Sequence, residues 1–104
     1  MSVHVQLIPF EELKKMAVDV HNEYYEARAE KAGNFHIEIK MEDVPEDILQ
    51  EWMIALIQDE LVTLEDEHRT SIETKITILE EIKRVYPELT SEINRHLEIF
   101  QSRR

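Results

Sequence analysis

Cysteine is absent from the 104-residue chain, which excludes disulfides, a thiolate nucleophile and any cysteine-based zinc finger. Glycine occurs once and proline three times. That scarcity excludes a Gly-rich phosphate loop and a dinucleotide fingerprint, and argues against the many tight turns of a β-sandwich or barrel. The longest apolar run, Trp52-Met53-Ile54-Ala55-Leu56-Ile57, is far short of the roughly 20 residues that cross a bilayer. The first ten residues carry neither a basic stretch nor a signal-type apolar run. Together with the missing cysteine, this sets the expectation of a cytoplasmic, reducing location with no membrane partner. Positive charge is scarce too: 12 Lys and Arg face 23 Asp and Glu, a net charge of −11. Such a chain repels phosphate backbones, so no direct nucleic-acid binding is expected.

What is present suits one packed domain over residues 1–104, with 42% hydrophobic and 34% charged residues. Val3-His4-Val5-Gln6-Leu7 alternates with the period of a half-buried strand. Pro9 then stands where a helix tolerates it, and Phe10, Leu13, Ala17, Val20, Tyr24 and Ala27 form a stripe of helical spacing. Gly33 is placed to close that helix in a left-handed conformation. Phe35-His36-Ile37-Glu38-Ile39-Lys40-Met41 alternates strictly and predicts a second strand with Ile37 and Ile39 buried. Within one chain the two strands are expected to pair in parallel, and two strands alone make a marginal sheet. Self-association through a strand edge is therefore a second expectation. From Pro45 the pattern predicts one helix reaching His68, a new helix starting near Ser71 with a Thr70…Glu73 capping box, and a last helix after Pro87. The fold class read from these patterns is α+β, predominantly α: a β-α-β unit of two short strands around one long helix, followed by a three-helix segment.

The negative charge is concentrated. Ten acids and no lysine or arginine lie between Glu42 and Glu67. On the first helix Glu12, Asp19, Glu23, Glu26 and Glu30 share an arc opposite the apolar stripe. Asp47, Glu51 and Glu65 share another if the second helix is continuous. The bland explanation is a solvated face that keeps the chain soluble. The sharper one is a docking surface in which Asp19, Glu23, Glu26, Glu30, Asp47, Glu51 and Glu65 meet a basic partner protein, such as an enzyme that acts on nucleic acids.

Other constellations have simpler explanations. Asp59 and Glu60 fall on the apolar arc of the second helix unless that helix bends near Gln58. Glu65-Asp66-Glu67-His68 contains a Glu-x-x-His, but the only comparable element, Glu92…His96, has helical i, i+4 spacing, so no metal site is expected. Asp59, Glu60, Glu80 and Glu81 could be imagined as ligands in an all-α, metal-dependent phosphohydrolase, yet their spacing matches no signature. His21 and Tyr25, one helical turn apart, are best read as a packing pair, and no serine sits in a triad-like arrangement. The function expected from the sequence is thus non-enzymatic and cofactor-free: an acidic interaction protein that binds, and in its strongest form inhibits, a basic partner. A homodimeric structural or assembly subunit is the first alternative and a metal-dependent phosphohydrolase the second.

Overall fold

The computed structural model describes residues 2–65 and 71–102. It is 73% helical, with four α-helices and a short two-stranded antiparallel sheet. The chain divides into two compact units, Ile8–Leu56 and the pair of segments Met1–Leu7 and Ile57–Arg104. Among the described residues no helix is long and apolar enough to cross a membrane.

The unit Ile8–Leu56 is built on two helices. Helix α1 (Phe10–Lys31) starts after Pro9, whose carbonyl accepts the Leu13 N–H at 2.9 Å. Glu11 and Glu12 lie in its first turn and Arg28 and Lys31 in its last, each suited to the helix dipole. It ends in a Schellman arrangement: Asn34 N–H donates to Ala29 C=O at 2.8 Å and Gly33 N–H to Glu30 C=O at 3.1 Å. Gly33 sits at φ +73°, which only glycine adopts freely. Helix α2 (Glu46–Leu56) packs on α1. Leu13, Ala17 and Val18 are buried on α1, and Leu49, Met53, Ile54 and Leu56 on α2. The expected stripe fails beyond Ala17, because Val20 and Tyr24 are exposed. Length explains this. The 22 residues of α1 span about 33 Å, whereas the 11 of α2 cover about half of that.

Residues 34–40 return along this unit without forming a strand, and Met41–Asp43 is a 3₁₀ turn. The strand expected over Phe35–Met41 is therefore corrected. Phe35 and Ile37 are exposed, and only Ile39 and Met41 of the expected inward face are partly covered. Alternation specifies which faces a strand would have but not a neighbour to pair with, and the pairing goes elsewhere.

The strand pairing of the protein lies within the other unit. Strand β1 (Val3–Val5) pairs with β2 (Val62–Leu64) in antiparallel register, Val3↔Leu64, His4↔Thr63 and Val5↔Val62. The parallel pairing expected from the sequence is thus replaced by an antiparallel one. The predominantly α, α+β class holds, with one short strand before α1 in the chain and one after it, and α2 lying between α1 and β2. The helix expected to reach His68 stops at Leu56 and gives way to a π turn, Ile57–Leu61. Continued α-helical geometry would carry Asp59 and Glu60 onto the buried arc. The wider turn instead buries Ile57 and Leu61 and leaves Asp59 and Glu60 exposed.

Helix α3 (Ile72–Val85) is capped by Ser71, whose Oγ accepts the Thr74 N–H at 3.1 Å. The expected partner in the capping box, Thr70, lies outside the described residues. Tyr86 ends α3, Pro87–Leu89 forms a 3₁₀ turn, and α4 (Thr90–Gln101) packs back on α3. Leu79, Ile82, Tyr86, Leu89 and Ile93 are fully buried.

Candidate functional site

The middle of α1, where His21 still meets α2 and the returning segment crosses the helix, gathers several polar groups. Its organising residue is Asn22, buried although it sits on a helix surface. Its Oδ1 accepts the Ile39 N–H at 2.8 Å, and its Nδ2 donates to the Ile39 C=O at 2.9 Å. The same Oδ1 lies 3.0 Å from His36 Nε2. One carboxamide thus fastens His36 and Ile39 to α1. The seam continues through rings. His21 stacks on Trp52 of α2 with centroids 3.8 Å apart and planes at 15°, Tyr25 lies 4.5 Å from His21, and His36 lies 6.4 Å from Tyr25. Burial, and secondarily the charge of His36, hold the His21 imidazole below its usual pKa, which favours the neutral ring against the indole. The packing-pair reading of His21 and Tyr25 holds, with Trp52 as a third member.

Beside this seam lies a recess of about 320 Å³ lined by Asp19, Asn22, Glu23, Glu26, His36 and Glu38. Three of the acids expected to bind a partner are therefore brought together: Asp19, Glu23 and Glu26 follow each other at i, i+4 and i+7 on one side. Glu38 closes the other side from the returning segment. Sequence reasoning placed Glu38 on the wet face of a strand and did not join it to this group. Asn22, a buried amide in an otherwise charged helical stretch, was the signal that could have located the seam. Among the described residues no lysine or arginine lines the recess. Among the described residues, no three ligand atoms from these side chains lie within 4.8 Å of one another. The spacing suits a guanidinium, an ammonium or several such groups.

The remaining expected site residues do not converge on the recess. Glu30 is exposed one turn further along α1. Asp47 is exposed in the first turn of α2, where its Oδ1 accepts the Ile48 N–H at 2.9 Å. Glu51 is exposed on α2. Glu65 follows β2, and its N–H donates to Ser2 C=O at 3.3 Å. The arc proposed for Asp47, Glu51 and Glu65 required a continuous helix, and the π turn at Ile57–Leu61 removes Glu65 from it.

Several of the groups weighed for other chemistry are held in ion pairs. Glu80 pairs with Lys83 at 3.5 Å, and Glu81 pairs with Arg84, whose hydrogen bond holds the Glu81 carboxyl below its usual range. Buried Glu92 pairs with Arg95 and lies 3.7 Å from His96 Nε2. Asp66, Glu67 and His68, with the Glu-x-x-His they complete, lie outside the described residues. No protein-family model matches the chain, and neither the curated proteins nor the solved structures contain a significant match.

Proposed function

We propose that the chain is a non-enzymatic interaction protein whose α1 face binds a basic protein, with enzymes that act on nucleic acids as the leading partner class. The observation that carries this reading is the ring of Asp19, Glu23, Glu26 and Glu38 around one open recess with no lysine or arginine among its described lining residues. Carboxylates held apart on a helix and a pinned segment offer separate acceptors to arginine and lysine side chains. The net charge of −11 adds long-range steering. Inhibition of the partner follows if the occupied surface is its nucleic-acid groove.

The test is capture of partners from native lysate by wild type, by Glu23→Lys/Glu26→Lys and by Asp47→Lys. A specific basic partner is expected with wild type and with Asp47→Lys, and not with the α1 double variant. Capture should fall steeply between about 50 and 200 mM salt. Equal capture by all three proteins would reduce the acidic face to solvated surface.

A further inference from the structure

The segment that Asn22 fastens to α1 alternates like a strand but pairs with no sheet among the described residues. Phe35 and Ile37 are 101% and 87% exposed. Among the described residues no hydrogen bond reaches the main chain of residues 35–38, while that of Ile39 is held by Asn22. Along an extended chain, main-chain groups of alternate residues face opposite edges. In an extended pairing with Ile39 turned toward α1, the amides and carbonyls of His36 and Glu38 fall on the outer edge. Exposed apolar side chains beside a free edge are the usual template for pairing with another chain.

We propose that residues 35–39 pair with the same segment of a second copy, antiparallel about a two-fold axis at Ile37, to form a homodimer. Apolar alternation and the free edge exclude one-residue slips, and charge selects this register among the rest. Pairing must bring apolar residues opposite apolar ones, and a one-residue slip would set Ile37 against Glu38. Centring on Ile37 places Phe35 opposite Ile39 of the second copy and Ile37 opposite its own equivalent. It also places His36 opposite Glu38 twice over, an imidazole against a carboxylate. Centring on Glu38 sets two carboxylates face to face and His36 against Lys40, and centring on His36 sets two imidazoles together. Finally, the hydrogen-bonded pairs in the Ile37-centred register are His36 with Glu38, whose main-chain groups are the ones Asn22 leaves on the outer edge. This dimer does not depend on the acidic-face reading, since partner capture and self-association are separate measurements.

The absence of cysteine makes the register directly testable. Opposed residues of a non-hydrogen-bonded antiparallel pair have Cα atoms about 4.5 Å apart, within disulfide range. Oxidised Ile37→Cys is therefore expected to give a covalent dimer. Phe35→Cys is not, because its two copies would be about 14 Å apart. In sedimentation velocity the wild-type chain should form a dimer as its concentration rises. Glu38→Lys should weaken it about tenfold, through two lost attractive pairs. The double variant His36→Glu/Glu38→Lys should recover most of the loss, because it restores unlike pairs. Thermal melts of each variant separate lost pairing from lost folding. A wild-type chain that stays monomeric across the series overturns the dimer. Cross-linking of Phe35→Cys as readily as Ile37→Cys, or a folded Glu38→Lys that dimerises like wild type, overturns the register.

Discussion

Asn22 holds Ile39 by both of its main-chain groups, at 2.8 Å to the N–H and 2.9 Å to the C=O. A side-chain amide here does what a neighbouring strand would otherwise do. Asn22→Leu keeps a side chain of similar size but removes both bonds and leaves the Ile39 groups unpaired. The expected cost is about 1–3 kcal/mol. In hydrogen exchange the Ile39 amide should lose its protection while α1 and α2 amides keep theirs. Unchanged protection at Ile39 would show that the segment is held by something else.

His21 gives the stability of the chain a definite pH dependence. Its folded pKa is depressed, by burial first and by His36 second. The unfolded chain therefore binds a proton more readily than the folded one. The stability associated with neutral His21 is fully present above the unfolded value, about 6.5, and is lost as pH falls through the lower folded value. His21→Phe keeps a ring on Trp52 and removes the titration. Its melting temperature relative to wild type should be constant above about pH 7.5 and should rise as pH falls below about 6.5. A difference that does not vary with pH would place His21 in a more solvated setting.

Sequence pattern located the devices that act locally. Gly33 is legible as a C′ residue because a positive φ is a one-residue property, and the start of α3 near Ser71 because capping involves residues three apart, although the cap seen is Ser71 on Thr74 and the expected Thr70 lies outside the described residues. The first half of the α1 stripe was legible for the same reason. Illegible features depend on partners remote in sequence. Val62–Leu64 competes successfully for β1, whereas the better-patterned Phe35–Met41 does not, and alternation alone does not rank two candidates for one edge. The π turn at Ile57–Leu61 was foreshadowed only by acids on an apolar arc. Of the site, Asp19, Glu23 and Glu26 were visible as a helical arc, while Glu38 joins them only through the Asn22 link 17 positions along the chain.

The acidic face should oppose folding slightly. Asp19/Glu23 and Glu26/Glu30 are like-charge i, i+4 pairs on exposed helix. Glu23→Lys and Glu26→Lys convert both into attractive pairs with the acid on the N-terminal side in one case and the C-terminal side in the other. Each conversion changes the helix by a few tenths of a kcal/mol up to about 1 kcal/mol. The double variant is expected to melt a few degrees above wild type at low salt, with the gain shrinking as salt is added. A lower melting temperature would mean that these carboxylates have stabilising partners, which would weaken the case that the face is kept for binding.

The last expectation concerns a bond that spans almost the whole chain. Tyr86, 1% exposed at the end of α3, donates its hydroxyl proton to the Gln6 carbonyl at 2.7 Å. The neighbouring Gln6 N–H is taken by Leu61 C=O at 2.9 Å, so the chain just after β1 is fixed by one sheet bond and one phenol. Tyr86→Phe keeps the buried ring and deletes only the hydroxyl. Because Gln6 is itself exposed, water can replace the lost donor, and the cost should stay near 0.5–1.5 kcal/mol rather than the roughly 3–5 kcal/mol of emptying the ring site with Tyr86→Ala. Urea unfolding measures both differences. The Gln6 amide should also exchange faster in Tyr86→Phe, because the sheet bond loses its neighbour, while amides in the middle of α4 should follow only the change in global stability. If Gln6 exchange tracks global unfolding in wild type and variant alike, the phenol contributes through ring packing alone and the strand end is secured by β2.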